Sequence, residues 1–158
     1  MTELKCAERV RRHLMERGIA YELTEHRESF TAQETAAALH EPGARVAKVV
    51  MLMADGRPTM AVLAAPDHVA LTRAREVLGA AEVRLATEAE FGSLFPDCDL
   101  GAAPPFGGLY GVPTYLDRRL LAAESIVFPA GSHRHAMRLS LADYRRAAEP
   151  TEADLAAG

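Results

Sequence analysis

Lys48 stands in an unusual place for its type. The chain of 158 residues has 16 arginines but only two lysines, Lys5 and Lys48. Lys48 sits inside the apolar run Val46-Ala-Lys-Val-Val-Met-Leu-Met53. With a strand's period of two it shares a face with Val46, Val50 and Leu52. An ammonium among such neighbours either snorkels out near a strand end or projects into a cavity, where it needs a carboxylate, carbonyls or a ligand's oxygens.

A second candidate is Leu100-Gly-Ala-Ala-Pro-Pro-Phe-Gly-Gly108. Prolines stiffen such a loop while glycines admit backbone angles that other residues avoid. It is either a structural turn or a main-chain surface able to hold a carbonyl or a developing oxyanion. The third is Gly131-Ser132-His133-Arg134-His135, following the strand-like Ile126-Val127-Phe128. It can present an imidazole at the rim of a sheet. His133 and His135 alone lack the further ligands that a zinc site needs, so no metal or other cofactor is expected. Cys98, flanked by Asp97 and Asp99, has a setting that disfavours a thiolate and makes a poor nucleophile. No GxSxG elbow or Ser-His-Asp pattern supplies another.

Elements able to position these residues follow from pattern and punctuation. Residues 3–17, with Leu4, Val10, Leu14 and Met15 among charges, read as a helix closed by Gly18. Residues 19–24 alternate and read as a strand. Thr31-Ala-Gln-Glu34 opens a helix that stops near His40. Two apolar runs, 46–54 and 59–65, flank Asp55-Gly56 and read as a hairpin buried on both faces. Asp67 is placed to cap a helix over 69–78 that Gly79 closes. A short strand at 83–86 precedes the capping box Thr87-Glu-Ala-Glu90. Beyond a Gly/Pro-rich loop over 95–111 come strands at 112–116, 125–128 and 135–139, with a turn or short helix at 117–123. A last helix starts at Ser140. The expectation is a single α/β (α+β) domain over residues 1–150, built on a mixed, mostly antiparallel sheet or partial barrel flanked by helices. Residues 151–158 read as a flexible tail.

Composition narrows the classes further. The hydrophobic fraction is 49% and the net charge −4, which argues against gripping nucleic acid by bulk electrostatics. Arg9-Arg11-Arg12, Arg118-Arg119 and Arg145-Arg146 could hold phosphates locally or form solvated helix faces. No apolar run approaches the ~20 residues of a membrane span. The first five residues lack a signal-peptide layout. Two cysteines outside any CxxC pair give no disulfide framework, so a reducing cytoplasm is the simplest reading.

In combination these segments resemble a known family. Val46-Ala-Lys48-Val-Val50, Gly101-Ala-Ala-Pro104-Pro105-Phe106-Gly107, Val112-Pro-Thr-Tyr-Leu-Asp117 and Phe128-Pro-Ala-Gly131-Ser132-His133 are similar in order and spacing to the YbaK/ProX-type aminoacyl-tRNA deacylases. Those proteins in turn resemble the editing domain inserted in bacterial prolyl-tRNA synthetases. The resemblance implies a YbaK-like fold and trans-editing hydrolysis of the ester joining a wrong amino acid to the 3′-terminal ribose of tRNA. It implies that Lys48 clamps the substrate's terminal adenosine and phosphate region. Gly101, Ala102, Ala103 and Pro104 would hold the aminoacyl group, with Pro105 and Phe106 continuing that wall. His133, next to Gly131 and Ser132, would position groups or handle protons, with His135 as the alternative assignment. The expected partner is aminoacyl-tRNA through its CCA end, with a tRNA synthetase as an optional further one. An asparagine follows the lysine in some family members; here that position is Val49. The alternative reading is a non-catalytic module that binds tRNA or an aminoacyl-nucleotide beside a synthetase.

Overall fold

The computed structural model describes residues 2–158, with side chains from Lys5 onward. The hairpin of β2 (Ala47–Ala54) and β3 (Arg57–Ala64) is the spine of the molecule. It pairs Ala47 with Ala64 through to Ala54 with Arg57. Asp55 and Gly56 turn the chain at φ 49° and 80°, the two left-handed residues that match the twist of a two-residue hairpin. Both faces are covered, as the two apolar runs require. Met51, Met60, Val62 and Ala64 face the main core. Leu52, Ala61 and Leu63 face a second cluster with Ala74 of α3 (Leu71–Leu78) and Val83 of β4 (Val83–Leu85).

Two sheets form rather than one. The larger has the order β4-β2-β3-β5-β8, where β5 is Thr114–Asp117 and β8 is Thr151–Ala153. The smaller has the order β1-β7-β6, from Glu22–Glu25, His135–Ser140 and Ser125–Pro129. Pairing is antiparallel except at β3–β5 and β5–β8. A parallel bridge from Val46 to Val127 stitches the sheets together. Since β4 reaches β2 only at Leu52–Ala54, the first half of β2, carrying Lys48, forms the edge of the sheet.

Helix α1 (Thr2–Glu16) lays Cys6, Val10 and Leu14 into the core at successive turns. Met15, expected among its apolar residues, is instead 68% exposed, and Leu4 lies outside the residues with described side chains. Thr31 caps α2 (Ala32–Leu39), and Thr87 makes a full capping box on α4 (Glu88–Phe91). Ser140 caps α5 (Leu141–Ala148), whose Tyr144 is fully buried against Phe106 and Phe128.

Four expectations need correction. Strand β1 starts at Glu22, is exposed throughout and leaves Ile19 as a core residue outside it. Asp67 does not cap α3, which begins from Ala70 with no side-chain cap; its carboxylate takes the Arg119 guanidinium at 3.1 Å instead. Residues beyond Pro150 are docked: β8 pairs with β5, and Leu155 and Ala156 are buried in the second cluster. Asp117 explains the docking, because its buried carboxylate accepts the N–H groups of Leu155 and Ala156 at 2.8 and 3.0 Å. Finally, Cys6 and Cys98 are joined as a disulfide across 92 residues of sequence, a pairing that spacing alone does not reveal. No helix among the described residues is long and apolar enough to cross a membrane.

Candidate functional site

A cleft of about 310 Å³ opens between the free edge of β2, the 26–35 segment and the turn between β6 and β7. Lys48, Gly101, Ala102, Ala103, Ser132 and His133 all line it. Three segments far apart in sequence thus meet at one place. Lys48 pairs across the hairpin with Leu63 and shares its face with Val50 and Leu52. It is half-buried and has no ion-pair partner among the described residues. Burial pushes the pKa of its ammonium down, and the negative charge of Asp67 opposes that shift. A cation held this way gains from an anionic ligand in the cleft.

The loop supplies main-chain donors. Gly101 adopts φ 82°, a left-handed conformation suited to glycine. The Ala102 N–H bonds the Asp99 carbonyl, and the Ala102 carbonyl accepts from Gly131 N–H at 2.9 Å. Among the described residues the N–H groups of Gly101 and Ala103 find no acceptor. Both residues line the cleft. A Cβ placed on Gly101 would lie 3.9 Å from His133 Cε1, which sets the imidazole directly across from the loop.

The turn is braced from below. The Ser132 hydroxyl pairs with His135 Nδ1 at 2.7 Å and accepts the Arg134 N–H at 3.1 Å. His135 therefore orients Ser132, and of the two histidines His133 lines the cleft. The two rings do not converge with a third ligand: the one group of metal-compatible side chains among the described residues is Cys6, Asp97 and Cys98, whose sulfurs are bonded to each other. Ser29 N–H donates to the His133 carbonyl at 2.9 Å, and His26 N–H to that of Arg134 at 2.8 Å. Phe30, 61% exposed, leans over His133 with ring centroids 4.8 Å apart.

Not every expected residue reaches the cleft. Phe106 is a core residue, 1% exposed, with its ring against Phe128 and Tyr144. Pro104 and Pro105 are buried behind the loop, where the Pro105 carbonyl accepts the Tyr144 hydroxyl at 2.7 Å. Gly131 supports the turn from behind, against Cys6. Residues that reading the sequence missed are Ser29, Phe30 and Thr35, whose only signal was the cap motif beginning at Thr31. The arginine clusters are largely occupied: Arg9 binds Asp97, Arg11 Glu8, Arg118 Asp154, Arg119 Asp67, Arg145 Glu152 and Arg146 Asp143. A wider groove of about 660 Å³ runs along α1, walled mostly by charged side chains of both signs.

The model of the aminoacyl-tRNA editing domain matches residues 26–147, the span that contains every side chain of the cleft. This chain belongs to that family. The editing domain is also similar in structure to a protein described as a candidate trans-editing enzyme for prolyl-tRNA synthetase, at 25% identity and TM-score 0.84, covering 97% of this chain and 98% of that one. A crystal structure of the hypothetical protein APE2540 matches at 21% identity and TM-score 0.84, over 94% and 99% of the two chains. A scaffold from epitope-grafting design matches at 22% identity and TM-score 0.83, over 97% of each chain. The last two likenesses concern the fold alone. No curated protein matches the chain.

Proposed function

We propose that this editing domain is a trans-editing hydrolase that clears mischarged tRNA by cleaving the ester between the amino acid and the 3′-terminal ribose. One observation carries the reading: among the described residues a half-buried lysine without an ion-pair partner, a histidine, and Gly101 and Ala103, whose N–H groups have no backbone acceptor, line a single cleft. The Gly101 and Ala103 N–H groups receive the carbonyl oxygen and the negative charge that develops on it. Water adds to the carbonyl carbon, the bond to the ribose oxygen breaks, and a proton passes to that oxygen as the free acid departs. His133, 3.9 Å from the Cβ position of Gly101, stands where it can position the water or carry the proton. Lys48 holds the terminal adenosine and its phosphate, and the ligand's negative charge offsets the cost of keeping an ammonium half-buried. No protein nucleophile is required, because an aminoacyl ester is already labile and gains from positioning and charge stabilisation.

With most arginines tied into intramolecular pairs, recognition centres on the CCA end rather than on the tRNA body. Phe30 offers the exposed aromatic face at the mouth of the cleft. The test is a deacylation screen of the purified protein against tRNAs charged with each amino acid, run beside Lys48→Ala. Hydrolysis of one or a few aminoacyl-tRNAs is expected, reduced roughly 10- to 100-fold in the variant, the range for losing a charged hydrogen bond. Binding of charged tRNA with no hydrolysis of any would replace this reading with the non-catalytic module.

A further inference from the structure

Beside the cleft lies a second, smaller recess, of about 160 Å³, between β2 and the 91–103 segment. Its wall is formed chiefly by Val49, Met51, Phe91, Phe95 and Leu100. The two cavities meet: Val49, Gly101 and Ala103 line both. We propose that the side chain of the bound amino acid enters this recess, and that Val49 and its neighbours select apolar side chains up to about the size of a phenyl ring. The proposal rests on the deacylase reading for the placing of the ester.

The argument is one of directions from a shared point. A carbonyl held by the Gly101 and Ala103 N–H groups has two substituents. The ribose oxygen must lead towards Lys48 and His133, where the larger cleft accommodates a nucleotide. The Cα substituent then faces the other cavity that opens on the same three residues. Size and chemistry fit one another there. A buried apolar cavity of ~150 Å³ is large enough for benzene, so valyl, leucyl, isoleucyl, methionyl and phenylalanyl groups fit, whereas an alanyl methyl leaves most of the space unfilled. The wall carries no hydroxyl, carboxamide or cationic side chain, so a seryl or threonyl hydroxyl would lose water without gaining a side-chain partner. Its one charged residue is Asp99, a carboxylate that repels an acidic side chain and attracts the α-ammonium every aminoacyl ester carries.

Val49 is the decisive position because it belongs to both cavities. Its β-branched apolar side chain contributes to the main core and gives the threshold between cleft and recess no polar group.

Two panels test this independently. The first measures kcat/KM on tRNAs charged with Val, Leu, Met, Phe, Ala, Ser, Asp and Lys. The second measures affinity for the corresponding 3′-aminoacyl adenosines joined by an amide, which cannot turn over. Both are expected to favour the larger apolar groups over Ala and Ser by about 10-fold or more, the range that methylene-sized differences produce in an apolar pocket. Val49→Asn is expected to compress that ratio at least several-fold, and Val49→Leu to shift preference towards smaller apolar groups. Thermal denaturation of each variant checks that it is folded. Apolar preference in binding without ester hydrolysis would overturn the deacylase reading and keep the recess assignment. Hydrolysis that favours alanyl, seryl or charged groups, or that ignores both substitutions, would overturn the recess assignment and keep the deacylase reading. An amide panel with no preference and no hydrolysis overturns both.

Discussion

Gly131 rests directly against Cys6, so closely that any Cβ at residue 131 would overlap the Cβ and Sγ of that cysteine. The glycine also adopts φ 96°. Its carbonyl accepts the Asp99 N–H at 2.7 Å, and its N–H donates to Ala102. Helix α1, the 98–103 loop and the turn bearing Ser132 and His133 are therefore joined at this one residue. Gly131→Ala combines a left-handed strain with overpacking, costs of order 1–2 and 1–3 kcal/mol respectively. A free energy of unfolding lowered by about 2–5 kcal/mol in total, read as a lower denaturant midpoint, together with loss of cleft activity, is the expected outcome. Gly108→Ala is the control, since its Cβ position is open and its φ is not left-handed. An unchanged midpoint in Gly131→Ala would show that α1 can withdraw from the turn at little cost.

The disulfide below that contact closes a loop of 92 residues. Cross-linking over such a span restricts the unfolded chain and is worth about 2–4 kcal/mol in typical cases. Addition of a dithiol reductant is expected to lower the thermal midpoint of the native protein, and to leave that of the Cys6→Ser/Cys98→Ser double variant unmoved. Thiol titration under denaturing conditions should find no free thiol before reduction and two after. Two free thiols in the untreated protein would remove the premise.

Lys48 allows a prediction whose sign follows from its burial. Its pKa is lowered in the folded protein, so over the window between the folded and unfolded values the unfolded chain binds more protons, and stability rises with pH there. The half-buried charge is thus a cost to the fold below that window. Replacing it by an apolar side chain of similar length, Lys48→Met, is expected to leave stability equal or higher across neutral pH while reducing binding of the CCA end. Substrate affinity in the parent should fall on the alkaline side at a lower pH than an ordinary lysine, near ~10.4, would give. A clear loss of stability in Lys48→Met would mean that the ammonium serves the core rather than a ligand.

Local signals were legible in the sequence. Thr31, Thr87 and Ser140 cap helices because their hydroxyls meet amides three residues on; Asp55-Gly56 turns the hairpin because both positions tolerate positive φ. Lys48, Gly101 and His133, each singled out from its own segment, line one cleft. What stayed hidden depends on contacts distant along the chain. Phe106 sits in a loop whose neighbours read as a substrate wall, yet Tyr144 and Phe128 draw its ring inward. Nothing near Phe30 says that it stays exposed over His133. Cys6 and Cys98 carry no spacing that announces a pair, and only the docking of α1 brings their Cα atoms to 5.1 Å.

The last eight residues show the same effect and can be tested directly. Their Ala-rich composition reads as a tail, but Ala153, Leu155 and Ala156 are each 5% exposed or less. Val69 bridges Ala156, and the Ala70 N–H donates to the Leu155 carbonyl at 2.7 Å. Burying one leucine side chain alone is worth about 1.5–3 kcal/mol. The Asp117 carboxylate, 1% exposed, meets the amides of Leu155, Ala156 and Arg119. Ending the chain at Pro150 leaves that carboxylate with only the Arg119 amide and uncovers the second core cluster. The truncated protein is expected to lose several kcal/mol and to expose apolar surface to a hydrophobic dye. Asp117→Ala in the full chain should reproduce part of that loss, because it removes the acceptor for both distant amides while leaving β8 its ladder to β5. A truncation that matched the parent in thermal midpoint would mean that β5 is a sufficient edge strand by itself, and that β8 contributes nothing to holding the β2–β3 hairpin on which Lys48 stands.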